Sequence, residues 1–248
     1  MNVNVVRKWK RIMAVGCSHG AYADPVALKA VLKFREKSNF DPHTVIHLGD
    51  YTDLGCLMSS AVPGSNSASE ELQPDVDGGL QFLQQLRPTL VLCGNHEDRL
   101  WRLQNSSQAI VAHAARDVIE QINSTCKELG AELLPYTGIE QGRTIGGYLY
   151  THGTVYGENC TRDMAEMYGN VVHAHTHRCA VAKGRRSDKP TGLCVGTLTR
   201  RGAFEYSKTR RSTLAWSQGL IFGEYCDDQS QLYLHEQPSG LAEWRLPK

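Results

Sequence analysis

Five short clusters of metal-binding residue types occur in order along the chain, each just after an apolar run. They are Gly16-Cys17-Ser18-His19, Gly49-Asp50-Tyr51-Thr52-Asp53, Gly94-Asn95-His96-Glu97, His152-Gly153 and Ala174-His175-Thr176-His177. Together they offer imidazole, carboxylate, amide and thiol groups. That mixture suits a pair of divalent ions, which polarise phosphoryl oxygens and activate water for phosphoester cleavage. The pattern therefore predicts one shared hydrolytic centre.

The apolar runs before the clusters predict the strands that position them. These runs cover residues 12–15, 45–48, 90–93, 148–150 and 171–173. In α/β sheets, ligands collect where loops converge at the carboxyl ends of the strands. Five polar clusters at five strand ends therefore predict convergence on one site. Further strands are expected at residues 193–195, 220–222 and 232–234.

Helix signals alternate with strand signals in the first half of the chain. Asp24-Pro25 predicts a helix start, since Asp caps helix N-termini and Pro suits the first turn. Further helices are expected at residues 76–86, before Pro88, and at residues 109–129, closed by Gly130. The Ser-, Pro-, Gly- and Asn-rich residues 59–73 predict an exposed loop.

Size and composition favour one domain over residues 1–248, with a net charge of only +1. No apolar run approaches the roughly 18 residues of a spanning helix, so no membrane partner is expected. Residues 1–10 are polar and basic, without a signal-peptide apolar region, which predicts a cytoplasmic protein. The eight cysteines form no C-x-x-C pair, so free thiols are expected rather than a zinc ribbon.

In their order and spacing, the five clusters resemble the calcineurin-like metallophosphoesterase superfamily. That family's pattern is D-x-H, G-D-x-x-D, G-N-H-[DE], a lone His and G-H-x-H. The run Gly94-Asn95-His96-Glu97-Asp98-Arg99 is the most specific part of the match. Small phage-encoded members are the closest in appearance, through residues 196–198 and 216–219. The resemblance implies a four-layer α/β/β/α sandwich of two mixed sheets, whereas the alternation of elements alone also allows a doubly wound sheet.

The resemblance also implies a role for each matching residue. A first metal would be held by Cys17, His19, Asp50 and His177, and a second by Asp50, Asn95, His152 and His175. Asp50 would bridge the two ions. His96 would face the substrate as a catalytic residue, stabilising charge or protonating the leaving oxygen. Asp53 would orient a ligand rather than bind metal.

Cys17 departs from the family pattern, because an aspartate is expected at this position. Three interpretations stay open. Cys17 ligates as a thiolate, which preserves the charge and favours zinc or iron over magnesium at the first site. Alternatively it does not ligate, which leaves a weaker first site or one metal. In the third interpretation the centre is inactive, although every other ligand and His96 are retained.

The remaining histidines and the arginines have less specific patterns. His43, His47, His113 and His235 are expected not to bind metal, and His173 is expected to pack or to support a ligand. Residues 178–211 contain ten Lys or Arg and two acidic residues. This stretch is either a solvated surface or a region that attracts an anionic substrate. The candidate substrate-binding residues are Arg99, Arg178, Arg200 and Arg201.

The expected function is hydrolysis of phosphomonoesters or phosphodiesters by hydroxide activated at a two-metal centre (manganese, zinc or iron). The substrate is a phosphoester, with a nucleotide or nucleic acid as one option. A nuclease acting on DNA ends is the alternative among enzymes. A non-catalytic, metal-bound interaction module is the alternative from another class, and the presence of His96 disfavours it. The sequence leaves the natural substrate and the oligomeric state open.

Overall fold

The computed structural model describes residues 7–37, 40–58, 71–137, 142–204, 213–237 and 243–247. Its strands are β1 (Lys10–Val15), β2 (Thr44–His47), β3 (Leu90–Leu92), β4 (Glu132–Leu134), β5 (Arg143–Ile145), β6 (Tyr148–Tyr150), β7 (Val171–His173), β8 (Cys179–Lys183), β9 (Thr191–Val195), β10 (Gly219–Tyr225) and β11 (Ser230–Glu236). Its α-helices are α1 (Pro25–Arg35), α2 (Leu72–Leu86), α3 (Asp98–Leu103), α4 (Ala109–Leu129) and α5 (Cys160–Tyr168).

The strands form two mixed sheets. The first has the order β11-β10-β1-β2-β3-β4, and the second has the order β5-β6-β7-β9-β8. In the first sheet, β1 to β4 pair in parallel, and β10 and β11 add antiparallel strands at one edge. In the second, β6, β7 and β9 are parallel, and β5 and β8 are antiparallel edges.

Side-chain alternation along β1 shows how the layers stack. Ile12 and Ala14 pack between the two sheets against Tyr150 and Val172 of the second sheet. Their neighbours Met13 and Val15 point the opposite way, into the cluster that contains α1 and α2. A strand buried on both faces has an uninterrupted apolar run in its sequence, as residues 12–15 do.

Helices cover the outer face of each sheet. The outer face of the first sheet is covered by α1, α2 and α4, and that of the second by α5, through Met164 and Ala165. The result is the predicted four-layer α/β/β/α sandwich of two mixed sheets. Within the described residues, no helix combines the length and hydrophobicity required to cross a bilayer.

The helix predictions are confirmed at α1 and α4, and one boundary needs correction. The Asp24 carboxylate accepts a hydrogen bond from the Val26 amide at 2.9 Å and so caps α1. Helix α4 ends before Gly130, which is left-handed at φ 64°. The helix expected from residue 76 begins at Leu72 instead, because Pro74 lies in its first turn and needs no amide donor there. Residues 59–70 of the predicted loop lie outside the described residues.

Two helices, α3 and α5, were not predicted from the sequence. They are 6 and 9 residues long, too short for a clear helical period in sequence. Both matter for the site, because α3 follows the third cluster and α5 follows the fourth.

Candidate metal centre

The five clusters converge, as the strand-end prediction required. They follow β1, β2 and β3 of the first sheet and β6 and β7 of the second. The Cys17 amide donates to the Gly49 carbonyl at 2.9 Å, and the His175 amide donates to the Cys17 thiol at 3.3 Å. These hydrogen bonds join the loops of both sheets into one site.

A first group contains Cys17, His19, Asp50 and His177, all buried. One ligand atom from each of them lies within 4.8 Å of all the others. Within the group, His19 Nε2 is 3.0 Å from His177 Nε2 and 3.8 Å from Asp50 Oδ2. The donor set, two imidazoles, a carboxylate and a thiol, matches the chemistry that a divalent ion requires.

A second group contains Asp50, His152 and His175. One ligand atom from each of these residues again lies within 4.8 Å of the other two. His152 Nε2 lies 3.2 Å from Asp50 Oδ2. The Asn95 side-chain oxygen is 2.8 Å from His175 Nδ1 and 3.1 Å from His152 Nε2. Asp50 therefore belongs to both groups, as expected of a bridging carboxylate.

Hydrogen bonds outside the groups fix which ring nitrogens face inward. His19 Nδ1 lies 2.9 Å from the Asp53 carboxylate, and His152 Nδ1 lies 2.7 Å from the Leu48 carbonyl. An imidazole that donates from Nδ1 keeps a lone pair on Nε2, so both Nε2 atoms are prepared to bind a cation.

The two histidines of the fifth cluster also fit a cation. Burial first, and then the nearby His152, lowers the pKa of His175 to about 3, and burial followed by His19 lowers the pKa of His177. Both rings are therefore neutral, which is the form that binds metal. His175 Nδ1 lies 2.8 Å from the Asn95 side-chain oxygen, and His177 Nε2 lies 3.0 Å from His19 Nε2, so these two ring nitrogens face the ligand groups. The close approach of His19 Nε2 and His177 Nε2 is accounted for if a cation accepts both lone pairs.

Cys17 points its thiol into the first group. Burial first, and then the Asp50 charge, raises the pKa of the Cys17 thiol well above its ordinary value. The isolated protein therefore holds a neutral thiol there, whereas a coordinated divalent ion deprotonates a thiol outright. The Cys17 carbonyl accepts hydrogen bonds from the Thr197 hydroxyl at 2.7 Å and the Leu198 amide at 3.1 Å. These contacts hold Cys17 in place.

Backbone strain is concentrated among the candidate ligands. Five of them have left-handed backbone conformations, namely Cys17 (φ 53°), His19 (φ 51°), Asp50 (φ 54°), His175 (φ 70°) and His177 (φ 57°). For residues with a Cβ, this conformation costs about 1–2 kcal/mol each. Strain of this kind persists at binding and catalytic sites, where the surrounding structure enforces it.

Glu97 fixes the loop that carries Asp50. Its buried carboxylate accepts hydrogen bonds from the amides of Asp50, Thr52 and Gly94, at 2.9, 2.9 and 2.8 Å. A Cβ at Gly94 would overlap the Asp50 carboxylate, so glycine is required for this close approach. Glu97 was part of the recognised motif, but this supporting role was not predicted from the sequence.

Asp75 fixes the neighbouring loop in the same way. It is fully buried in the first turn of α2 and accepts hydrogen bonds from the amides of Asp53, Leu54 and Ala21. It thereby ties the turn after His19 to the turn that holds Asp53. No sequence pattern indicates this role, since Asp75 resembles an ordinary acidic residue near a helix start.

His96 lies beside the first group and is 13% exposed. Its Nδ1 is 2.6 Å from the Asp53 carbonyl and 3.2 Å from the Asp53 carboxylate. His19, Asp53 and His96 are close enough to hold a metal, but the Nδ1 atoms of both rings already face Asp53. Burial alone would lower the pKa of His96, yet the carboxylates of Asp50 and Asp53 raise it to about 9. In the metal-free protein, His96 is therefore protonated at neutral pH and can donate a proton.

Three of the four candidate arginines donate hydrogen bonds to backbone carbonyls. Arg99 donates to Asp53 at 2.7 Å, Arg178 donates to Gly157, and Arg200 donates to Ala21 at 2.7 Å. Arg201 is exposed. Arg99 borders the site directly, and a substrate role for these four residues stays a prediction. Arg210 and Arg211 of the basic stretch lie outside the described residues.

The other described histidines lie outside the metal-capable groups of the described chain. His173 Nε2 is 3.2 Å from the Thr161 hydroxyl, and His47 Nε2 is 3.1 Å from the Ser18 hydroxyl. Both are buried and hydrogen-bonded, in agreement with a packing or supporting role.

Aromatic rings surround the histidines more closely than the sequence indicated. The ring centroids of Trp216 and His177 are 4.3 Å apart, those of Phe204 and His19 are 5.1 Å apart, and those of Tyr156 and His175 are 4.6 Å apart. Tyr156, Phe204 and Trp216 come from separate loops and share no local motif, so their placement around the histidines was not predicted from the sequence.

A four-layer sandwich with buried metal-capable groups at its strand ends defines a metal-dependent hydrolase of the phosphoesterase class. Residues 10–179 match the calcineurin-like phosphoesterase family, and the chain belongs to this family. It is therefore a phosphoester hydrolase, and the family implies divalent metal ions. A comparison with curated proteins found no match.

Three solved structures are similar to the chain over most of its length, at low sequence identity. An archaeal phosphodiesterase is 12% identical, with a TM-score of 0.40, and the match covers 92% of this chain and 99% of that one. A conserved uncharacterized protein from Streptococcus pneumoniae, described as a predicted phosphoesterase, is 15% identical, with a TM-score of 0.37 and coverages of 94% and 95%. A 5′-nucleotidase precursor from Thermus thermophilus is 10% identical, with a TM-score of 0.39 and coverages of 92% and 54%.

Proposed function

We propose that the chain hydrolyses phosphomonoesters or phosphodiesters at a two-metal centre bridged by Asp50. The observation that carries this proposal is the membership of Asp50 in both ligand groups. The first ion would be held by Cys17, His19, Asp50 and His177, and the second by Asp50, Asn95, His152 and His175. Divalent ions bound there would neutralise phosphoryl charge and lower the pKa of an attacking water molecule.

The chain's own residues supply orientation and a proton. Asp53 lies against Nδ1 of both His19 and His96, so one carboxylate orients a metal ligand and the proposed proton donor. His96 donates its Nε2 proton to the leaving oxygen, which needs no covalent enzyme intermediate. The fixed loops around Glu97 and Asp75 keep these groups in place before substrate binds. A cytoplasmic location and the likeness to phage-encoded members stay predictions.

The test of this function is turnover of p-nitrophenyl phosphate and bis-p-nitrophenyl phosphate with manganese, zinc or iron. We expect hydrolysis of at least one ester with at least one metal, because the candidate ligands and the candidate proton donor His96 lie close together. The ratio of the two rates assigns a monoesterase or a diesterase. Absence of turnover with every metal, in protein shown to contain two ions per chain, would contradict the proposal.

We further propose that Cys17 binds the first ion as a thiolate, so that this site prefers zinc or iron. The variant Cys17→Asp is then expected to keep or raise activity with manganese, because a carboxylate carries the same charge and a harder donor atom. Metal content and manganese-dependent turnover are measured together.

Removal of the thiol provides the matched comparison. Cys17→Ala is expected to lower zinc content, whereas Cys194→Ala removes an equally buried thiol outside the metal-capable groups and is expected to leave it unchanged. Loss of all metal and activity in Cys17→Asp would show that the ligand assignment is wrong.

A further inference from the structure

Tyr156 is an exposed aromatic side chain held against a candidate metal ligand. Its ring lies 4.6 Å from that of His175 at an interplanar angle of 63°, and 72% of the residue is exposed. A large ring this exposed contributes little to the core. Its position beside the second ligand group therefore indicates a role in binding a substrate.

The loop that carries Tyr156 is fixed on both sides of the ring. Before it, the Tyr136 hydroxyl donates to the Gly153 carbonyl at 3.1 Å. After it, the Arg178 guanidinium donates to the Gly157 carbonyl. Val155, the residue before the ring, packs against α5 and β7 and anchors the loop on the protein. A ring held in this way loses little freedom when a ligand stacks on it.

Tyr156 and His96 mark different sides of the site. His96 contacts His19 and Asp53 beside the first group, whereas Tyr156 contacts His175 of the second group. If His96 protonates the leaving oxygen, as proposed above, a ring stacked on Tyr156 belongs to the ester group that stays on phosphorus. Such a substrate has two ester groups, and one of them carries a planar ring.

We propose that Tyr156 is a stacking platform for a nucleobase on the retained ester group, which makes the preferred substrate a nucleoside-bearing phosphodiester. This inference rests on the proposed function and deepens it. Stacking of a base on an aromatic side chain tolerates different bases, because every base has a π-face. Discrimination among the four bases is therefore not expected from this residue.

The test compares two substrates with the same leaving group. One is thymidine 5′-(p-nitrophenyl phosphate), and the other is its abasic counterpart, in which hydrogen replaces thymine. The wild-type holoenzyme is expected to show a kcat/KM about tenfold higher for the thymidine ester. Tyr156→Phe should keep this ratio, and Tyr156→Ala should bring it close to one while preserving turnover of the abasic ester. Tyr233→Ala, at an exposed tyrosine on β11, is the matched control and should keep the ratio.

The outcomes separate this inference from the proposed function. The stacking role of Tyr156 is overturned by any of three results: a kcat/KM ratio near one in the wild type, an unchanged ratio in Tyr156→Ala, or an equal loss of kcat/KM for both esters in that variant. If the wild type hydrolyses neither ester with any metal, the proposed function fails instead. The stacking role of Tyr156 is then tested by calorimetry, which measures the binding of thymidine 5′-phosphate and its abasic counterpart to the metal-loaded protein. Tighter binding of thymidine 5′-phosphate that is lost in Tyr156→Ala supports the stacking role, and equal binding of the two compounds to the wild type overturns it.

Discussion

Replacing His96 with asparagine is expected to lower kcat for an alkyl phosphoester by about 10²–10⁴-fold and to leave the bound metal unchanged. His96 carries the raised pKa of about 9, and its Nδ1 faces Asp53 while its ring lies beside His19. An asparagine amide can still donate a hydrogen bond to the Asp53 carbonyl, so the local fold should survive. The decrease in kcat then reflects the missing proton donor and not a change in the local fold.

The leaving group supplies the internal control for His96→Asn. A phosphoester whose leaving group departs easily needs little protonation, whereas an alkyl ester needs it most. The kcat deficit should therefore be small for the p-nitrophenyl ester and large for the alkyl ester of the same phosphate, with metal content measured on each preparation. An equal deficit for both esters would contradict the role of His96 as proton donor. Loss of metal would make it a ligand instead.

Replacing Asp50 with asparagine is expected to weaken metal binding at both sites by at least about 100-fold and to abolish turnover. Removal of a partner that merely orients a ligand already costs about 10–100-fold in affinity. Asp50 contributes to both groups directly, and its negative charge opposes the repulsion of two cations. Burial alone would raise the pKa of Asp50, but His152 and His96 lower it, so the group is ionised in the folded protein.

Asp53→Asn is the matched control for Asp50→Asn. Asp53 contacts His19 and His96 and does not belong to the second group, so its loss should weaken the first site alone. Metal bound per chain and calorimetric affinity are measured for both variants. The Asp50→Asn loop should keep its shape, because the His96 amide, which now donates to the Asp50 carboxylate at 3.1 Å, can still donate to a carboxamide oxygen. Retention of two ions with native affinity in Asp50→Asn would contradict the bridging role.

The convergence of the five clusters could be predicted from the sequence, because each cluster is local and follows a strand. Cys17 follows β1 of the first sheet and His177 comes after β7 of the second, yet the packing of the two sheets against each other brings these residues together. Metal-ligand residue types in fixed order are rare enough to be recognised without a structure. The sheet order and the pairing of β10 with β1 could not be predicted, since they depend on contacts between distant segments.

The supporting residues were harder to predict for the opposite reason. Asp75 acts through three backbone amides from other loops, and Tyr156 acts through its exposure and the loop on which it lies. Neither role leaves a local pattern. The contacts of Arg178 and Arg200 with the carbonyls of Gly157 and Ala21 also left no sequence pattern, and a substrate role for these arginines stays a prediction.

The most direct measurement of the central claim is metal reconstitution of the chelated enzyme, followed by metal analysis and hydrolysis of bis-p-nitrophenyl phosphate. The two overlapping ligand groups predict no turnover without metal and activity that rises until two ions are bound per chain. Full activity after complete removal of metal, or saturation at a single ion, would contradict a two-metal centre bridged by Asp50.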